Sequence, residues 1–193
     1  TNITTFDEWA FRNDPVGIYS MVMGNPPYKN RGQELMEDPS WADYKRAEHY
    51  QLLRTLPMLN KGGLSVMVIP RSTMSKKDSA NEKVRTEMLK YAHLIGAVRL
   101  PTHSLIDGKL KDAVFNNVAT PIDVLFLQAR GGKLKETKQE DQYIINGDYF
   151  KKHPNHIMGV VNEPNTSVTL DGKKFDNKFM FTRIIMKGKF DGL

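Results

Sequence analysis

Cysteine is absent from all 193 residues, which excludes a disulfide framework, a thiolate nucleophile and any cysteine-ligated zinc or iron–sulfur centre. No apolar run reaches about 18 residues, the length of a membrane-spanning helix, and the opening TNITTFDEW lacks the basic and apolar regions of a secretory signal. A soluble, cytoplasmic protein with no membrane partner is expected. Histidine is scarce. His153 and His156 have an i,i+3 spacing, but Pro154 interrupts the helix that would align them and no carboxylate–histidine motif accompanies them, so no metal site is expected. Ser72, Ser75 and Ser79 have no histidine in a defined relation to them and read as caps and loop bonds rather than nucleophiles. No internal repeat is present.

What is present supports a core. Hydrophobic residues make up 39% of the chain in separated runs, and the length fits one moderate domain, or one domain with an incomplete second element. A formal charge of +6 favours polyanions without identifying one. The first residue is Thr rather than Met, and FTRIIMKGKFDGL stops soon after an apolar run, so both ends are expected to be cut from something longer.

Gly17 to Met23 is a short apolar run that meets Asn25-Pro26-Pro27, and predicts a buried strand ending in a rigid turn. Ser40 with Asp43 predicts a helix start, and Tyr44, Ala47, Leu52, Leu56 and Leu59 form its apolar stripe across Ala42 to Leu59, closed by Lys61-Gly62-Gly63. Leu64 to Ile69 reads as a central parallel strand. Ser79 with Glu82 predicts a second helix carrying Val84, Met88, Tyr91 and Ala92 on one face. Leu94 to Leu100 and Ile122 to Leu127 read as further strands, separated by a polar, irregular segment from Thr102 to Pro121. This alternation indicates an α/β sheet with helices on its faces. Beyond Gly131 the composition turns polar; Lys133, Lys135 and Lys138 are diluted by Glu136, Glu140 and Asp141, as in a solvated linker. Asp171-Gly172 predicts a type I′ hairpin. The expected division is residues 1–130 as the catalytic-side portion and 131–193 as linker and partial extension.

Asn25-Pro26-Pro27-Tyr28 carries the chemistry. The exocyclic amine of a base is a poor nucleophile because its lone pair is delocalised into the ring. An Asn carbonyl and the Pro26 carbonyl, held by two residues of fixed φ, are placed to accept both amine hydrogens and localise that pair. Tyr28 is placed to stack on the ring, an aromatic contact of about 1–3 kcal/mol. The proton leaves after attack on a sulfonium methyl, so no general base is needed beforehand and orientation dominates. The competing reading is a stiff turn bearing a surface aromatic.

The motif, with LLRTLPMLNKGGLSVMVIP, LIGAVRLPTHS and IDVLFLQAR after it, resembles the adenine-N6 DNA methyltransferases whose signature is Asn-Pro-Pro-Tyr or Asn-Pro-Pro-Phe, as found in large bacterial and phage restriction-modification proteins that combine this domain with other modules. The resemblance runs from Tyr19 to Arg130. It implies a partial Rossmann-like fold, S-adenosylmethionine as methyl donor and DNA as partner, with Asn25 and Pro26 holding the amine and Tyr28 stacking on a flipped adenine. It also implies a helix around His49 to Leu59 and a glycine-led strand at Gly62 to Ile69. The family's earlier glycine-rich cofactor loop and following acid are not found before Tyr19, where Asp14-Pro15-Val16-Gly17 is no such loop, so a weak or inactive isolated chain completed by the rest of a larger polypeptide or complex is expected. His49 and Tyr50 are candidates for the cofactor pocket, and Arg71, Lys76 and Lys77 for DNA phosphates. Two other functions stay open: a noncatalytic DNA-binding or scaffold module, and methylation of a planar amine or amide in RNA or protein.

Overall fold

A computed structural model describes residues 5–112, 120–176 and 183–187. Period-two apolar patterning builds the central sheet from β1 (Tyr19–Gly24), β2 (Leu59–Pro70), β3 (Ala92–Leu100) and a strand over Ile122–Ala129, in which the last inserts between β2 and β3. Connecting β1 to β2 is α2 (Ala47–Thr55), preceded by α1 (Phe6–Asn13) at the start of the described chain. From β2 to β3 run α3 (Arg71–Ser75) and α4 (Ser79–Tyr91). β1 and β2 pair in parallel, as the alternation predicts. The inserted strand pairs antiparallel to both β2 and β3, and no helix occurs among the described residues between it and β3. Instead the chain makes a hairpin, β4 (His103–Ile106) and β5 (Lys109–Asp112), so the returning strand Ile122–Ala129, β6, runs the other way. Asp107 and Gly108 both have positive φ at that hairpin's turn. The segment expected to be irregular thus holds a hairpin with the same Asp-Gly signal as Asp171-Gly172; its residues 113–119 lie outside the described residues.

Three predicted boundaries shift for physical reasons. α2 begins at Ala47 rather than near Ser40, which sits in a 3₁₀ turn while Asp43 pairs with Lys83 at 2.7 Å. α4 is capped by Asp78 rather than Ser79: its Oδ1 accepts from the Asn81 N–H at 2.9 Å. Gly62-Gly63 lies inside β2 instead of closing a helix. The β1–β2 register jumps there from Tyr19 opposite Leu59 to Met21 opposite Leu64, and a Cβ on Gly63 would stand 3.1 Å from the Tyr19 carbonyl. A side chain there would crowd the Tyr19 and Asn60 carbonyls.

Helices cover one face of the sheet among the described residues, not both. Leu52 and Leu53 of α2, Leu56 at its C-cap, and Val84, Met88 and Leu89 of α4 pack on Met67, Ile69, Ala97, Leu125 and Leu127. The same core takes in Ile144 and Ile145 from α5 (Gln142–Ile145) and Tyr149 and Phe150 from α6 (Tyr149–Lys152). The opposite face carries Leu100, Ile122 and Val124 flanked by Val66, Val68 and Val98, with Met23 (70% exposed) and Ile95 (60%) open to solvent. β7 (Val160–Asn162), a hairpin of β8 (Ser167–Leu170) and β9 (Lys173–Asp176), and β10 (Arg183–Lys187) complete the chain. A second sheet has the order β5-β4-β10-β7. The predicted hairpin forms as β8–β9, with Asp171 and Gly172 both at positive φ.

Candidate functional site

β1 and β2 are parallel, and Pro70 and Leu100 both face Ile122, so the carboxyl ends of β1, β2 and β3 share one rim of the sheet. The Asn25–Tyr28 turn leaves that rim from Gly24, where the backbone lies so close to Met67 that a Cβ would stand 3.1 Å from its sulfur. Ligands of open α/β sheets bind at this end of the strands. Asn25 and Pro27 are exposed, Pro26 is buried, and Tyr28 is half-buried against the Leu100, Ile122 and Val124 cluster. The turn is therefore pinned at its second and fourth residues while the Asn25 amide faces solvent.

The Tyr28 hydroxyl donates to Asn25 Oδ1 at 3.2 Å. Burial, reinforced by the negative charges of Glu48 and Asp123, pushes the Tyr28 phenol up to about 12. It is thus neutral at physiological pH, a flat ring with a proton to donate. The following residues hold the turn in place: Ala47 N–H donates to Lys29 O at 2.9 Å and Arg31 N–H to Lys45 O at 2.7 Å, lacing the chain after the motif to the start of α2.

That lacing brings in a residue the sequence did not single out. Glu48 is 1% exposed; its Oε1 accepts from Arg46 Nε at 2.7 Å while its Oε2 has no hydrogen-bond partner. In sequence it looks like any acid in a first helical turn, favoured there by the helix dipole. Only the lacing places its charge near Tyr28.

His49 and Tyr50, expected at the cofactor pocket, are interior. Tyr50 is 0% exposed; its hydroxyl donates to Asp38 Oδ2 at 2.9 Å and the Arg31 guanidinium lies 3.7 Å over its ring. Arg31 also binds Asp7, and Arg54 joins Asp38 to Asp14, so this buried network ties α1, the loop after the motif and α2 together. His49 Nε2 lies 3.3 Å from Thr73 Oγ1, and burial, with the Arg46 charge next, lowers its pKa to about 4. Both residues position the helix beside the turn; Tyr50 offers no surface to a ligand.

Arg71, Lys76 and Lys77 are not brought into one group. Arg71 opens α3 at the rim, Lys76 turns to Asp78 at 2.8 Å, and Lys77 pairs with Asp148 at 2.9 Å. Arg99 donates to both carboxylate oxygens of Asp123, at 2.7 and 2.8 Å, and also to Ser75 Oγ at 2.7 Å. His153 and His156 stack beside Tyr149, whose hydroxyl lies 2.9 Å from His156 Nδ1. No group of three or more potential metal-ligating side chains occurs among the described residues. No helix among them is long and apolar enough to cross a membrane.

A parallel strand pair ending in Asn-Pro-Pro-Tyr at this rim makes the chain an α/β protein whose exposed turn lies where open sheets bind ligands. The pattern of the N-6 DNA Methylase family matches residues 5–158, and the chain belongs to that family. No curated relative matches it. Among solved structures it is similar to a modification subunit of a putative type I restriction enzyme from Vibrio vulnificus YJ016 (19% identity, TM-score 0.44, 70% of this chain and 30% of that one). It is also similar to the type I restriction enzyme EcoKI M protein (17%, 0.47, 86% and 29%). A third is a putative DNA modification methylase from Thermus thermophilus complexed with S-adenosyl-L-methionine (14%, 0.37, 70% and 57%). The chain thus spans 30% or less of the length of the two modification subunits.

Proposed function

We propose that this chain is the acceptor side of an adenine-N6 DNA methyltransferase and works within a larger assembly. The observation that carries the reading is the exposed Asn25 amide beside a neutral, half-buried Tyr28 at the ligand-binding rim. Asn25 Oδ1 and the Pro26 carbonyl accept the two N6 hydrogens, drawing the amine away from planarity so that its lone pair leaves the plane of the base. The Tyr28 hydroxyl, which occupies Asn25 Oδ1 in the absence of a base, yields that acceptor to the incoming amine. Its ring then stacks on the flipped adenine. S-adenosylmethionine, when bound, supplies an electrophilic methyl group and takes up the electron pair of the broken carbon–sulfur bond. The N6 proton passes to solvent once nitrogen is alkylated.

The described residues fit the acceptor half better than the donor half. β1 ends at the reacting turn, yet its outer edge is unpaired among the described residues and Met21 and Met23 beside it are exposed. Arg71 and Lys77 meet DNA phosphate outside the target pocket, and Lys76, turned to Asp78, does not join them.

The test is methyl transfer to adenine-containing DNA by the native polypeptide carrying these residues, beside its Asn25→Ala variant. A loss of about 100-fold or more in kcat is expected, the scale of removing one preorganised hydrogen-bond partner of the transition state. Equal rates would refute the assignment. The self-paired Asn25–Tyr28 contact favours one second reading, a noncatalytic DNA-binding module; DNA binding with no donor binding by calorimetry would select it. Competition among DNA, RNA and peptide acceptors identifies the substrate.

A further inference from the structure

A cleft of about 220 Å³ opens at the same rim, between α3, the end of β3 and α6. Its walls include Arg71, Lys77, Arg99 and Lys151, and its floor Phe150 and Ile157. Most of these charges already have partners. Arg99 is neutralised by Asp123 and lies 4.0 Å over the Phe150 ring, and Lys77 and Lys151 share Asp148 at 2.9 and 3.1 Å.

Arg71 is the exception. Its backbone N–H donates to Pro121 O at 2.9 Å, but its guanidinium forms no hydrogen bond or ion pair with a described residue. It is half-buried, and desolvation, with the Arg99 charge next, lowers its pKa despite the attraction of Glu163, the acid lining the same cleft, and of Asp123. A partly desolvated guanidinium with planar donors and no acceptor is a site left for an anion.

We infer that this cleft seats one backbone phosphate of the DNA strand that carries the target adenine, with Arg71 as its central ligand and Lys77 and Lys151 on either side. The inference rests on the DNA reading above and localises it. Phosphate suits the donors because a guanidinium binds it bidentately, and Arg71, Lys77 and Lys151 outnumber the carboxylates of Asp148 and Glu163 by one. The apolar floor of Phe150 and Ile157 suits the adjoining deoxyribose. Lys76, turned to Asp78 outside the cleft wall, has no place in this contact.

The sheet also sets the register. From the end of β1 to the end of β3 is three strand spacings, about 14 Å. At about 3.4 Å per nucleotide along a strand, the contacted phosphate lies within about four nucleotides of the adenine held at Asn25.

Equilibrium DNA binding by the native polypeptide, measured by fluorescence anisotropy over a salt series without methyl donor, reads this contact apart from catalysis. Arg71→Gln is expected to weaken binding about tenfold and reduce the salt slope by about 1, irrespective of sequence; Arg71→Lys should keep the slope. Lys90→Gln, at the opposite end of α4, should behave as the unsubstituted protein. An uncharged methylphosphonate placed singly at each of the four phosphates on either side of the adenine should weaken the unsubstituted protein at one position and leave Arg71→Gln indifferent there. Should Arg71→Gln not fold, the same scan on the unsubstituted protein still reads the contact. Wild-type affinity and slope in Arg71→Gln, a scan with no sensitive position, or inorganic phosphate filling the cleft without lowering DNA affinity would each overturn the inference. Absent methyl transfer with DNA binding and its Arg71 dependence intact defeats only the catalytic reading, whereas no DNA binding by the unsubstituted protein defeats both.

Discussion

Replacing Arg99 by Met should destabilise the protein severely at neutral pH, because it strands a buried carboxylate behind the site. Asp123 is 0% exposed, and both its oxygens accept from Arg99. Breaking one side of such a pair costs about 3–5 kcal/mol, since the remaining charge keeps its desolvation penalty and loses its partner. For a domain of this size that corresponds to a fall in Tm of roughly 6–20 °C. The cost must depend on pH with a defined sign. Burial raises the Asp123 pKa even with Arg99 present, and removing Arg99 leaves Arg71 as the remaining attracting cation. A carboxyl whose folded pKa lies above its unfolded value of about 3.9 contributes stability below that value and loses it as pH rises through the folded pKa. Arg99→Met should therefore approach wild-type stability in acid and fall furthest behind near pH 8. The double variant Arg99→Met/Asp123→Leu, which leaves no charge to strand, should recover most of the loss. Urea unfolding of the four proteins of this cycle at acid and neutral pH measures all these quantities. A loss under about 1 kcal/mol that is flat in pH, or a double variant no better than the worse single, would show that the pair is not desolvated as described.

His49 makes the folded protein acid-sensitive in a window of its own. Its folded pKa of about 4 lies below the ordinary value of 6.5, so the neutral form is favoured in the fold. Its contribution is complete above about pH 6.5 and is lost as pH falls towards 4, at most about 3 kcal/mol; His49→Gln should flatten that limb of the stability–pH curve, and an unchanged curve would count against its burial. Asp78→Ala should cost about 1 kcal/mol in urea unfolding through loss of the α4 cap. Because Asp78 is lowered to about 2 by Lys76 and the Asn81 N–H, its contribution is present above about pH 4 and is lost as pH falls through about 2. Tyr28→Phe keeps the ring and frees Asn25 Oδ1, so methyl transfer should change by no more than a few-fold, whereas Tyr28→Ala should lose roughly 5- to 150-fold with the stack of about 1–3 kcal/mol. Equal losses in the two would assign the role to the hydroxyl instead.

The local pattern was sufficient for much of the fold. Apolar runs bounded by glycine and proline located the four strands of the main sheet, and Asp171-Gly172 located the β8–β9 hairpin, because strand alternation and positive-φ turns are properties of neighbouring residues. The same turn signal at Asp107-Gly108 is obscured by the polar residues around it. Helix starts are less legible: a serine followed by an acid at the capping spacing occurs near both α2 and α4, yet α2 starts at Ala47 with no side-chain cap while Asp43 pairs with Lys83, and α4 is capped by Asp78 because its Oδ1 reaches the Asn81 N–H. Gly62-Gly63 is indistinguishable from a helix terminator until β1 is seen lying against it.

The chain's own order of residues determined that an Asn-Pro-Pro-Tyr turn would follow a strand in an α/β sheet, since proline stereochemistry and apolar periodicity act over a few residues. Tertiary structure alone decided the direction of β6, the burial of His49 and Tyr50, the approach of Glu48 to Tyr28, and the separation of Arg71 from Lys76. Each depends on atoms distant in the chain meeting in space, where burial removes water from some charges and leaves others exposed. That is why three neighbouring cations, alike in sequence, end with different partners, and one of them with none among the described residues.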